Sequence, residues 1–152
     1  MQRFRLDGTL SGSGTVSGAS GASDAIFITA TGSTLSPGNS IGTLSINGDL
    51  SLQGATSLVS ELDPTASQNA DLLDVSGNII GTNNLTVTLE KDSGYTETGA
   101  AEFADFTGST YVVARGGSID NDIVTLVEGS SLNAHLSASL ASAPSQSGQV
   151  EL

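Results

Sequence analysis

The sequence predicts an all-β chain wound as a right-handed parallel β-helix, a solenoid. Three observations carry that expectation. Aliphatic residues alternate with small polar ones in short runs. Gly, Asn and Asp corners separate those runs at intervals of only a few residues. The composition suits a narrow core: 4% of residues are aromatic, 13% are charged and 19 are Gly. Alternation marks strands, and Gly, Asn and Asp mark turns. A compact soluble domain carries about a quarter of its residues charged. A disordered chain would lack both the aliphatic content and the alternation. A coil with a thin core needs Leu, Ile and Val and few rings. About 20–25 residues per coil gives five to seven coils.

In chain order, Phe4 and Leu6 alternate before the Asp7-Gly8 turn, and Leu10 and Val16 each precede a Ser-Gly corner. Residues 25–31 form a strand with Ile26 and Ile28 on one face; either Phe27 then points outward or the register is one residue off. Pro37 has a fixed φ and no N–H, so it belongs at a corner or edge, and Gly38 beside it can take φ > 0. Asn39 and Ser40 can bond the backbone locally. Leu44 with Ile46, Leu50 with Leu52, and Leu58 with Leu62 point inward, separated by Asn47-Gly48-Asp49 and Gln53-Gly54-Ala55. Residues 63–70 leave the coil as a loop. Leu73 and Val75 point in, Gly77 turns and Ile80 follows, and Leu85, Val87 and Leu89 alternate with outward Thr86 and Thr88. Asparagines at equivalent corners, Asn83-Asn84 among them, can stack as a ladder.

Residues 90–110 break the rhythm with Glu90, Asp92, Glu97, Glu102 and Asp105. A short helix is expected over 100–106. Tyr95, Phe103 and Phe106 have two open roles: a cap over one side of the core, or a surface contact to a partner. The cap is favoured because large exposed apolar patches are uncommon. Residues 111–114 are a strand turned by Arg115-Gly116-Gly117, and Ile119, Ile123, Val124 and Leu126 continue the core. Leu132, Leu136 and Leu140 fit both a strand and a helix face; the interleaved Asn, His and Ser favour a strand. Pro144 and Gly148 punctuate a hairpin loop whose return is 149–152. The expected organisation is therefore coils over 1–127, with insertions near 63–70 and 90–110, and a hairpin cap over 128–152.

Residues 35–52, Leu-Ser-Pro-Gly-Asn-Ser-Ile-Gly-Thr-Leu-Ser-Ile-Asn-Gly-Asp-Leu-Ser-Leu, resemble the passenger-associated transport repeat of bacterial autotransporters. The matching positions include Pro37, Gly38, Asn39, Gly42, Leu44, Ile46, Gly48, Leu50 and Leu52. Asp71-Leu72-Leu73-Asp74-Val75-Ser76-Gly77 resembles the segment that follows in the family. The resemblance implies a parallel β-helix closed by an antiparallel, autochaperone-like C-terminal cap. It implies an extracellular structural stalk at the bacterial cell surface, exported across the outer membrane by type V secretion, that displays adhesin or effector cargo. Its covalent neighbours would be an N-terminal passenger and a C-terminal β-barrel. The motif residues themselves read as corner and core chemistry.

The net charge of −12 opposes nucleic-acid binding and contact with anionic membranes. Weak Ca2+ binding at acidic loops is the sharper reading of that charge. No apolar run reaches the length of a membrane-spanning helix. Residues 1–6 are too poor in apolar content for a signal peptide, so an exported chain would rely on a segment outside these residues. There is no Cys and a single His, His135, which leaves no His-rich zinc site. No catalytic residue and no cofactor site is expected. The low-probability enzyme alternative is a polysaccharide lyase or glycosidase using Asp71 with Asp74, or Asp120 with Asp122, near Arg115. Asp is a good turn residue, and turns are the better account of both pairs. A second alternative is head-to-tail self-association into a surface filament.

Overall fold

The computed structural model describes residues 3–18, 26–81, 85–107, 109–119, 124–128 and 149–151. The first coil contains β1 (Arg3–Leu6), β2 (Thr9–Gly12) and β3 (Gly14–Ser17). The second contains β4 (Ile26–Thr29), β5 (Ser33–Pro37) and β6 (Thr43–Asn47). The third contains β7 (Asp49–Leu52), β8 (Thr56–Leu62) and β9 (Leu72–Val75). The fourth contains β10 (Ile79–Gly81), β11 (Leu85–Lys91), helix α1 (Ala100–Thr107) and β12 (Val112–Arg115). β13 (Val124–Glu128) and β14 (Gln149–Glu151) follow.

From β1 to β9, every strand pairs in parallel with the third strand after it, and β11 pairs in parallel with β13. The result is three sheets: β1-β4-β7-β10, β2-β5-β8-β11-β13 and β3-β6-β9-β12-β14. A chain that returns to each sheet only after visiting the other two is a three-faced parallel solenoid. Its backbone N–H and C=O groups are paired along the axis rather than within a coil. The last pair, β12 with β14, is antiparallel.

The core is a set of stacked columns. Leu10, Leu35, Leu58 and Val87 stand in register on one face. Leu44, Leu73 and Ala114 do so on another, and Phe27, Leu50 and Ile79 on the third. Leu35, Leu58, Leu73, Ile79, Leu85 and Val87 are wholly buried. Each inward aliphatic thus covers the one below it. The alternation at 85–89 and the inward pairs at 44–62 hold as expected. The loop at 63–70 and the helix near 100–106 are also found where the sequence predicts them.

The structure sets the phase of two segments. Phe27 is buried and Ile26 and Ile28 are half-buried on the outer side, so the register of β4 is shifted by one. Phe27 gains a stacked contact with Phe4, ring centroids 5.0 Å apart, which an inward Ile would not supply. Ile79 is buried and Ile80 is 42% exposed, so Ile79 carries the core at that segment. Ile79 pairs with Leu50 and so continues the Phe27 column. The expected repeat length also falls short at the last coil, where Asp74 and Arg115 on adjacent strands are 41 residues apart. Insertions at the corners account for the excess.

Inward polar groups are bonded across coils. Thr56 Oγ1 donates to Thr29 Oγ1 at 2.7 Å, and Ser33 Oγ donates to the Leu6 carbonyl at 2.9 Å. A corner ladder forms as predicted in kind, but Ser and Asp share it with Asn. Ser76 Oγ donates to Asn47 Oδ1, the Asn78 N–H to Asp49 Oδ1, and Ser118 Oγ to Asn78 Oδ1. Residues 120–123, 132–140 with His135, and the 143–148 loop lie outside the described residues, as do Asn83-Asn84 and the Phe103 side chain.

Candidate functional site

The transport-like motif falls at the edge where the second and third sheets meet. Successive coils cross this edge through Ser13, then 38–42, then 63–71, then 92–111. Pro37 ends β5, and the Gly38 N–H donates to the Gly12 carbonyl at 3.1 Å. Gly38 has φ 79°, and a Cβ there would collide with the Ser40 carbonyl and approach Asp71 Oδ1 to 2.5 Å. Only glycine fits that turn. A Cβ on Gly42 would lie 2.6 Å from Ser13 Oγ. The coils are therefore in close contact at this corner.

Two buried carboxylates fill the remaining space. Asp71 Oδ1 accepts the Gly42 N–H at 2.8 Å, and Oδ2 accepts the Glu61 N–H at 3.0 Å. Asp92 Oδ1 accepts the Ser40 hydroxyl at 2.8 Å, and its Oδ2 accepts the Gly94 N–H at 2.7 Å. Ser40 thus reaches two coils onward rather than bonding its own turn. Burial pushes the Asp71 carboxyl up from an ordinary 3.8 to about 6, against the pull of its two N–H donors; the negative Glu61 and Asp92 add to the rise. Glu61 is raised as well, by burial first and then by Asp92 and Glu90.

The outer loops lean on this stack. Asn69 Nδ2 donates to the Thr110 carbonyl at 3.0 Å, and Gln68 Nε2 to Thr43 Oγ1 at 3.2 Å. Under α1, Tyr95 and Phe106 meet edge to face at 5.2 Å, and Phe106 lies 6.1 Å from Tyr111. All three rings are buried. Tyr95 and Phe106 therefore do not present a surface to a partner; they join the core beneath the helix. Lys91 Nζ lies 3.4 Å from Glu102 Oε1, and Glu102 Oε2 is buried without a hydrogen-bond partner.

The other motif residues divide between core and turn. Leu44, Ile46, Leu50 and Leu52 are buried in the columns. Asn39 is exposed. Gly48, at φ 138°, donates its N–H to Ser76 Oγ at 2.9 Å. Asp71 and Asp74 are not brought together as a carboxylate pair. Asp71 is turned into the corner, and Asp74 is on the outer face of β9, bonded to Arg115 Nε at 3.0 Å and Nη2 at 3.2 Å. No group of three His, Asp or Glu side chains is placed to hold a metal ion among the described residues. Sequence reasoning missed Asp92 and read Asp71 only as a turn residue; their partners lie on other coils, and no local signal marks them.

Fold and corner together define a parallel β-solenoid with hydrogen-bonded loops stacked along one edge. No family model matches the chain, and neither the curated proteins nor the solved structures contain a match to it.

Proposed function

We propose that this chain is a structural stalk module of a bacterial autotransporter passenger, a right-handed β-helix that supports folding-coupled export and cell-surface display. The observation that carries the reading is the placement of residues 35–52. The Pro37-Gly38 turn forms one corner, and Leu44, Ile46, Leu50 and Leu52 supply inward columns on two adjacent faces. The stretch that resembles the transport repeat is thus the part of the chain that turns one coil into the next. The small share of charged residues, 13%, and the absence of Cys agree with a chain that crosses a membrane unfolded. Residues 128–152 form, on this reading, a C-terminal cap, of which the described part is β14, paired antiparallel with β12. On this reading the cap folds first and templates the coils before it, so that folding favours outward movement.

Deletion of 128–152 tests the proposal. Slower refolding from urea is expected for the shortened chain, followed by far-UV circular dichroism, together with reduced surface display when the chain is fused ahead of an outer-membrane β-barrel. Unchanged refolding and display would overturn it. The thinly covered first coil favours a second reading, assembly of copies end to end.

A further inference from the structure

Of the 19 glycines, Gly48 alone follows an asparagine. Asn-Gly is the dipeptide most open to loss of the side-chain amide, because no Cβ crowds the glycine nitrogen and the backbone there is least restricted. The reaction joins two neighbours. The Gly48 nitrogen attacks Asn47 Cγ, the new N–C bond closes a succinimide ring, and the Cγ–Nδ2 bond breaks. Ammonia leaves with the proton that the Gly48 nitrogen gave up. Water then opens the ring to an aspartyl or an isoaspartyl residue.

Both reacting groups are tied to the next corner along the axis. The Gly48 N–H donates to Ser76 Oγ at 2.9 Å, and Ser76 Oγ donates to Asn47 Oδ1 at 3.1 Å, so one hydroxyl bridges the nucleophile and the carboxamide it must reach. That bond favours the neutral N–H over the deprotonated nitrogen that attacks. The backbone around it is fastened on both sides. The Ser76 N–H donates to the Ile46 carbonyl at 2.9 Å, the Gly77 N–H to the Gly48 carbonyl at 3.0 Å, and the Asn78 N–H to Asp49 Oδ1 at 2.8 Å. A Cβ on Gly77 would collide with Asp49 Oδ1 and lie 2.7 Å from the Gly48 carbonyl oxygen, so the two corners are in close contact. We propose that Asn47-Gly48 is a latent deamidation site that the stacking of 76–78 on 47–49 holds closed, with the Ser76 hydroxyl as the lock. Asn47 is half-buried rather than enclosed, so water has access to a ring once formed. An isoaspartyl linkage would lengthen the backbone at the corner between β6 and β7 and place a carboxylate beside Asp49. A chain left unstacked at 76–78 would record that state as a permanent change at residue 47. The inference rests on the corner geometry and not on the export reading, which stands if it fails.

The test uses the full chain, held in mildly alkaline buffer and then mapped by peptide mass spectrometry. The readout is the amide-to-acid mass increase and the isoaspartyl content at residue 47. The native parent is expected to deamidate many-fold more slowly than the same chain unfolded in guanidinium. Ser76→Ala, folded by circular dichroism, is expected to deamidate several-fold faster than the native parent. Ser76→Thr keeps the hydroxyl and is expected to stay close to the parent. In guanidinium all three are expected to share one rate, since the sequence at 47–48 is unchanged. Equal rates for the native and the unfolded parent overturn the proposal, and this comparison holds even where Ser76→Ala does not fold. A native Ser76→Ala no faster than the parent also overturns it. A slower one does so in the opposite sense, because the hydroxyl would then promote ring closure by relaying the proton.

Discussion

Asp71 Oδ1 accepts the Gly42 N–H across 29 residues of sequence, so a carboxylate on one coil closes the corner of the coil before it. Its other oxygen accepts the Glu61 N–H. Asp71→Ala leaves both N–H groups without this acceptor. A loss of about 1–3 kcal/mol is expected for each donor left buried and unpaired. Urea unfolding of the variant against the parent measures it.

The same carboxyl makes stability depend on pH in an uncommon direction. Its pKa is about 6 in the fold against an ordinary 3.8, so the folded state holds the proton more tightly than the unfolded state. This contribution is fully present below the unfolded pKa and is lost as pH rises through about 6. Glu61, raised by burial, acts in the same direction. Melting temperatures from pH 7 down to pH 4.5 are expected to rise in the parent relative to Asp71→Asn, which cannot titrate there. A constant difference between the two proteins would contradict the assignment.

Gly38 and Gly32 separate strain from collision. Both have positive φ, 79° and 83°, but a Cβ on Gly32 meets nothing within 4 Å, whereas one on Gly38 meets Ser40 and Asp71. Gly32→Ala is expected to cost about 1 kcal/mol, from the left-handed conformation alone. Gly38→Ala is expected to cost clearly more. Equal denaturation midpoints would show that the corner yields to the added methyl group.

The columns predict a gradient along the axis. Leu58→Ala, at a wholly buried position between Leu35 and Val87, is expected to cost about 2–5 kcal/mol. Leu10→Ala, at the partly covered end of the same column, is expected to cost less than half as much. Guanidinium unfolding midpoints of the two variants check the order.

Much of this fold is readable in the sequence where two cues coincide. Leu85, Val87 and Leu89 alternate with threonines, and Pro37-Gly38 marks a corner with its own chemistry; both are found in the structure. Phe27 and Ile79 were misplaced or left open because each lies in a run of adjacent apolar residues, where alternation has no phase. What sets the phase is the column, Phe27 over Leu50 over Ile79, which joins distant coils. Thr29, Thr56 and Ser60 are buried hydroxyls that break the apolar pattern and are bonded inside. The site was the least visible part. Ser40 and Asp92 are partners 52 residues apart, and turn propensity identifies each residue without pairing them.

The connections along the motif edge lengthen from Ser13 alone to 92–111, yet β8 and β11, which lead into the two longest, keep an unbroken register from Thr56 opposite Leu85 to Leu62 opposite Lys91. Protrusion size on that flank is thus decoupled from the spine that carries it. A foreign peptide spliced into the outer half of the 63–71 loop would alter what the molecule exhibits without altering how it winds, which makes this flank a natural place to graft an epitope.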